Sequence, residues 1–139
     1  MLRLFFILTI VAMLNSCSKE EVATPDPGNT TSSKLTDITT LSNYDATIKT
    51  GVSLLFFHAT WCSICTSQRP DVEGLTSETS IKAAKLGQVD VDKNKDITAK
   101  YSVAGQPVII IYKDNVEKHR LSGKGHSMSK LADLIKALL

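Results

Sequence analysis

From residue 35 onward, apolar positions recur in two rhythms separated by turn residues. The run Val52-Ser53-Leu54-Leu55-Phe56-Phe57-His58 shows no polar alternation, which predicts a central strand with helices above and below it. Before it, Tyr44 and Ile48 are spaced for a short helix, capped by Ser42 or Asn43 and closed by Thr50-Gly51. After it, Cys65, Arg69, Val72, Leu75, Ile81 and Ala84 keep helical spacing from Thr66 to Lys85. Pro70 lacks a backbone donor and is expected to bend that segment, with a break between Thr76 and Ser80.

Further on, Leu86 to Val91 alternates as a second strand and Asn94 to Tyr101 reads as a short helix. The β-branched run Val108 to Tyr112 and the strand Val116 to Leu121 flank the turn residues Lys113-Asp114-Asn115, predicting a hairpin. Ser127 caps a last helix whose Met128, Leu131, Leu134, Ile135 and Leu138 share one face. The expected order is helix, strand, helix, strand, helix, strand, strand, helix, with no internal repeat. This predicts a single α/β domain over residues 35–139.

Residues 1–34 follow neither rhythm. Arg3 precedes the apolar run Leu4 to Leu14, which fits a signal-peptide core and is short of the roughly 20 residues a spanning helix needs. It ends in Leu14-Asn15-Ser16-Cys17, which resembles the bacterial lipobox, where the Cys is acylated and becomes the mature N-terminus. The alternative is an ordinary secretory signal followed by an incidental Cys. On the first reading residues 1–16 are a lipoprotein signal peptide, Cys17 carries the lipid, and residues 17–34 are a tether. Proline extends the stretch Thr24-Pro25-Asp26-Pro27-Gly28-Asn29 while Gly, Ser and Thr leave it little to bury. Ser18-Lys19-Glu20-Glu21 resembles a surface-export signal of some bacterial lipoproteins. The expected location is the bacterial cell envelope, lipid-anchored, facing the periplasm or displayed at the surface.

Composition adds mainly exclusions. The formal net charge of +2 arises from 16 basic and 14 acidic side chains with no block of one sign, so no nucleic-acid-binding face is expected. The chain has three cysteines. With Cys17 assigned to the lipid, Cys62 and Cys65 are left as a working pair. They lie in Trp61-Cys62-Ser63-Ile64-Cys65, where a strand runs into two thiols at the start of a helix, the arrangement that dithiol–disulfide exchange needs.

Other chemistry fits less well. Zinc needs four ligands, and no second Cys or His pair has suitable spacing, so no metal site is expected. Covalent haem needs His after the second Cys, where Thr66 stands. Asp90-x-Asp92-x-Asn94-x-Asp96 resembles the start of a calcium loop, but Lys95 replaces the required Gly and Tyr101 the bidentate Glu, so a solvated turn is expected. His58 reads as a partly exposed strand-end side chain, with thiolate tuning as the alternative; His119 and His126 read as surface groups.

Taken together, residues from about Leu35 to Leu139 resemble a thioredoxin. Phe57, Ala59, Trp61, Cys62, Cys65 and Pro70 match the strand-to-helix region of that family in order. Lys85-Leu86, Val89-Asp90-Val91-Asp92, Tyr101 and Val103 match the stretch that follows. Gly105-Gln106-Pro107 with Val108 to Lys113 matches its cis-proline loop and hairpin, and Gly123 the glycine after the last strand. The resemblance implies a thioredoxin fold, a central mixed sheet flanked by helices. It also implies that Pro107 is cis and lies against the cysteines, that the Gln106 backbone pairs with an extended substrate strand, and that Trp61 covers one side of the pair. Simple core packing is the alternative for Trp61.

Chemistry orders the two thiols. Cys62 at a helix N-terminus is favoured as thiolate, below the free value of about 8.5, and is the expected nucleophile. Cys65, a turn further in, is expected to resolve the mixed disulfide. Three positions depart from the family. Phe56 stands where a buried Asp usually helps the resolving Cys, Gln88 where a Lys accompanies it, and Gln68 where some relatives carry a Glu. The expected function is an extracytoplasmic thiol–disulfide oxidoreductase acting on protein cysteines, more as reductase than as oxidase or isomerase. It needs no cofactor besides its dithiol, acts as a monomer and draws electrons from a membrane partner. The alternative is a thioredoxin-fold binding or chaperone module with a static disulfide. Insulin reduction with dithiothreitol, lost in Cys62→Ser, separates the two.

Overall fold

Strand β2 (Val52–His58) is buried along its whole length, as a run with no polar face requires. The computed structural model describes residues 35–139, and in it β2 lies at the centre of a five-stranded mixed sheet. On one side it pairs in parallel with β3 (Lys85–Asp90), which pairs in parallel with β1 (Thr36–Asp37). On the other side it pairs antiparallel with β4 (Val108–Lys113), which forms a hairpin with β5 (Val116–Ser122). Helices α1 (Leu41–Ile48), α2 (Ser63–Gly74), α3 (Lys95–Lys100) and α4 (Met128–Lys136) complete the thioredoxin fold.

Alternation along β2 divides the core. Leu54 and Phe56 pack with Val72 of α2 and with Leu131, Ala132 and Ile135 of α4. Leu55 and Phe57 point the other way, into a cluster with Tyr44 and Ile48 of α1 and Ile97 of α3. Each such apolar side chain contributes about 1.5–3 kcal/mol by leaving water, so this double-sided strand anchors the domain.

The hairpin turns at Asp114 and Asn115, both with positive φ (48° and 68°), so the two-residue loop twists with its strands. It is also tied to the rest of the fold. The Gly51 N–H donates to Asp114 Oδ1 at 2.8 Å, and the Asn115 N–H to the Ile48 carbonyl at 2.8 Å.

The structure corrects the expected boundaries at three places. Helix α1 is capped by Thr40, not Ser42 or Asn43, because extended Thr40 aims its Oγ1 at the Asn43 N–H, 3.1 Å away. The segment expected from Thr66 to Lys85 begins at Ser63 and ends its α-helix at Gly74. Two 3₁₀ turns, Leu75–Ser77 and Thr79–Ile81, follow it, separated at Glu78, whose carboxylate accepts the Ser80 N–H at 3.1 Å. Strand β1 is absent from the expected order because two residues carry no periodicity. Its partner must let it approach closely: a Cβ at Gly87 would lie 2.8 Å from Leu55 Cδ2 and 3.1 Å from Ile38 Cγ1.

Candidate functional site

The parallel strands β2 and β3 end side by side, His58 opposite Asp90, and the chain leaves β2 through Ala59-Thr60-Trp61 into α2. This places the cysteines beyond the carboxyl ends of the strands, where open α/β sheets expose their chemistry. Cys62 is the N-cap of α2 in extended conformation, and its Sγ accepts the Cys65 N–H at 3.1 Å. A free N–H at a helix start is a donor that a thiolate on Cys62 can keep. Cys62 and Cys65 are joined as a disulfide with 5.2 Å between their Cα atoms. Cys62 is the more accessible, 7% exposed against 1% for Cys65, which fits attack at the first and resolution by the second.

Trp61 is 69% exposed and Ile64 46%, so Trp61 is not a core side chain. Its indole is nevertheless fixed, since Nε1 donates to Asp92 Oδ2 at 2.7 Å. Asp92 in turn is held by its own N–H, which donates to Asp90 Oδ1 at 3.0 Å. The turn that resembled a calcium loop thus orients the tryptophan. Asp92 is a site residue that the sequence reading missed; the Asp-x-Asp spacing was visible, its partner was not.

Pro107 is buried and its bond to Gln106 is cis, as the resemblance implied. It leads directly into Val108, which pairs with Phe57 of β2, so its loop reaches the same end of the sheet as the cysteines. Its carbonyl accepts the Gly123 N–H at 2.9 Å, tying the end of the hairpin to this loop. Gln106 is half-buried beside it. Cys17, the remaining site residue expected from the sequence, lies outside the described residues, as do the signal peptide and tether.

The three substituted positions have been rebuilt. Phe56 is fully buried, with the Arg69 guanidinium carbon 5.4 Å from its ring centre and the His58 ring stacked at 5.5 Å. Arg69 Nη1 donates to Gln88 Oε1 at 2.8 Å and Gln88 Nε2 to Asp37 Oδ1 at 2.6 Å, so a chain of polar groups crosses from α2 to β1. Gln68, also fully buried, holds the loop before α4 by two bonds: its Nε2 donates to the His126 carbonyl at 2.7 Å, and the His126 N–H donates to its Oε1 at 3.0 Å. A carboxylate at position 68 would accept the N–H but have no proton for the carbonyl, so the amide suits this clamp.

His58 departs from the expectation of a partly exposed side chain, being 7% exposed with a buried Nδ1 that has no hydrogen-bond partner. The Phe56 ring stacks on it at 5.5 Å. Burial, and after it the nearby Arg69 charge, holds its titration below the usual imidazole range, against the opposing pull of Asp90 and Asp37. Among the described residues no group of three or more His, Cys, Asp or Glu is placed to hold a metal ion.

The family model that matches the chain is Thioredoxin, over residues 35–137. A thioredoxin of Staphylococcus saprophyticus is 38% identical over 90 residues, 65% of this chain and 82% of that protein. One from Staphylococcus aureus is 36% identical over the same spans. Among solved structures, Fasciola hepatica thioredoxin superposes with a TM-score of 0.66 at 31% identity, covering 76% of this chain and 100% of that one. A point mutant of Halobacterium salinarum thioredoxin gives 0.67 at 26%, covering 80% and 96%. Both the sequence and the architecture around Cys62 and Cys65 therefore lead to one conclusion: the chain belongs to the thioredoxin family and is a disulfide oxidoreductase whose substrates are protein thiols and disulfides.

Proposed function

We propose that the protein is a lipid-anchored reductase of protein disulfides in the bacterial cell envelope, working as a monomer and resupplied with electrons by a membrane partner. The observation that carries this reading is the placement of Cys62 as the accessible N-cap of α2, with Cys65 buried behind it. In the reducing direction the Cys62 thiolate attacks a substrate disulfide and releases one substrate thiolate, leaving a mixed disulfide. Cys65 then attacks Cys62 Sγ, forming the intramolecular disulfide and releasing the second substrate sulfur. The dithiol is itself the redox group.

The substrate chain is read as lying across Trp61 and Ile64, with the Gln106 backbone and Pro107 on its other side. Exposed apolar surface beside a reactive sulfur favours an unfolded or extended segment over a small polar thiol. The reductase direction is supported by the compact domain, in which only the short helix α3 lies between β3 and β4. Envelope location is supported by Leu14-Asn15-Ser16-Cys17 and by the polar tether after it.

Equilibration of the Cys62–Cys65 pair with glutathione tests the direction. A reduction potential near about −270 mV supports a reductase, and one near about −120 mV makes the protein an oxidant. Cys62→Ser is expected to abolish insulin reduction; a wild type equally inactive would instead indicate a static disulfide. Trapping with Cys65→Ser is expected to capture protein partners through Cys62. Incorporation of labelled palmitate, lost in Cys17→Ser, tests the anchor.

A further inference from the structure

A buried polar nitrogen without a partner is costly and calls for a reason. Among the described residues one such atom, His58 Nδ1, lies at the end of the strand that leads into the reactive cysteines. His58 follows Leu54 and Phe56 on β2, so its side chain leaves the sheet on the face whose buried cluster contains both Cys62 and Cys65. The family's usual carboxylate on this face is replaced by Phe56, which has nothing to titrate and instead stacks on the His58 ring. The charged groups facing the imidazole come from each surrounding element: Arg69 from α2, Asp90 from β3, Asp37 from β1 and Lys93 from the turn after β3. Two are cationic and two anionic, so a further charge nearby can tip the balance.

We propose that His58 is a redox-linked proton site, protonated when the cysteine pair is reduced and neutral when the disulfide is formed. A thiolate at Cys62, four residues along the chain, supplies the negative charge that favours the imidazolium. Closing the disulfide removes that charge, and burial then favours the neutral ring. The reduced site holds one thiolate on Cys62, one thiol proton on Cys65 and one proton on His58. On reaction with a protein disulfide the S–S bond of the substrate breaks and the Cys62–Cys65 bond forms. Two electrons pass from the protein sulfurs to the substrate sulfurs. The Cys65 and His58 protons leave with them, giving two substrate thiols and a site of unchanged net charge. His58 is a positioning residue in this scheme: it holds charge beside the thiolate and makes no bond to the substrate. By linkage, whatever factor separates the proton affinities of His58 in the two redox states also separates the redox equilibrium at acid and neutral pH.

The test is an NMR titration of the imidazole resonances across the neutral range, on the oxidised protein and on the protein reduced with a phosphine, with thiols counted first. The expected result is a His58 pKa about one unit higher in the reduced form, a tenfold coupling. Equal values in the two forms overturn the proposal while leaving disulfide exchange intact, whereas a pair that the phosphine does not reduce overturns both. His58→Gln gives a second reading. Its far-UV circular dichroism reports folding, and its exchange equilibrium with a disulfide peptide is expected to lose the inflection that wild type shows in the imidazole range. A folded His58→Gln with the wild-type pH profile also overturns the proposal, and if the variant does not fold, the wild-type titration decides alone.

Discussion

The two faces of the central sheet differ in how they treat their buried titratable side chains. On the α1 and α3 face the tyrosines satisfy one another or a neighbour: the Tyr44 and Tyr112 hydroxyls are 3.0 Å apart, and Tyr101 stacks on Tyr44 at 4.0 Å while its hydroxyl donates to Asp45. Burial raises the Tyr44 and Tyr112 hydroxyls above the ordinary phenol range, so these groups carry no charge at any physiological pH. On the α2 and α4 face His58 is buried with Nδ1 unpartnered, its titration below the usual imidazole range. The tyrosine hydroxyls, each with a partner, only hold the fold together. The imidazole is a titratable group without such a partner, on the side of the sheet whose buried cluster also contains the cysteines.

Substitutions test this contrast. The largest effect is expected from Tyr44→Phe, which keeps the ring but leaves the buried Tyr112 hydroxyl without its partner, costing about 1–3 kcal/mol in urea unfolding. A null result there would mean that water replaces the lost hydroxyl and that the two faces are less different than they look. Arg69→Met comes next. It removes the donor to Gln88 and the cation over Phe56 while keeping an apolar stem, and about 1–2 kcal/mol is expected to be lost, with exchange activity largely retained.

The smallest effect at neutral pH is expected from His58→Leu. Because Nδ1 has no partner to orphan, the cost should stay within about 1 kcal/mol, measured by the urea midpoint at fixed slope. Its signature is instead pH dependence. The folded imidazole titrates below the unfolded one, so between those two values the unfolded chain binds more protons and stability rises with pH. Oxidised wild type should therefore lose stability as pH falls through the imidazole range, and His58→Leu should lose less. Parallel curves for the two proteins would show that His58 does not titrate differently on unfolding.

Much of the fold was legible because its elements are set by period and punctuation. The apolar run of β2, the Ser127 cap with the Leu131 and Ile135 face of α4, and the Asp114-Asn115 turn each state a local requirement that the chain then meets. The Thr40 cap was missed because several hydroxyl and amide residues compete there, and only the backbone angles of Thr40 choose among them. Strand β1 was missed because it exists only through its pairing with β3.

The reactive pair can be read from adjacent residues, since a strand runs straight into Cys62 and Cys65 at a helix start. What surrounds that pair depends on packing: Asp92 on the Trp61 indole, Gln68 on the His126 backbone, and Arg69 and His58 against the ring of Phe56. Each of these contacts joins residues from different elements or depends on which side of a strand they leave. The hydrogen bonds and burial that define them arise only when β2, β3, α2 and the loop before α4 are packed together.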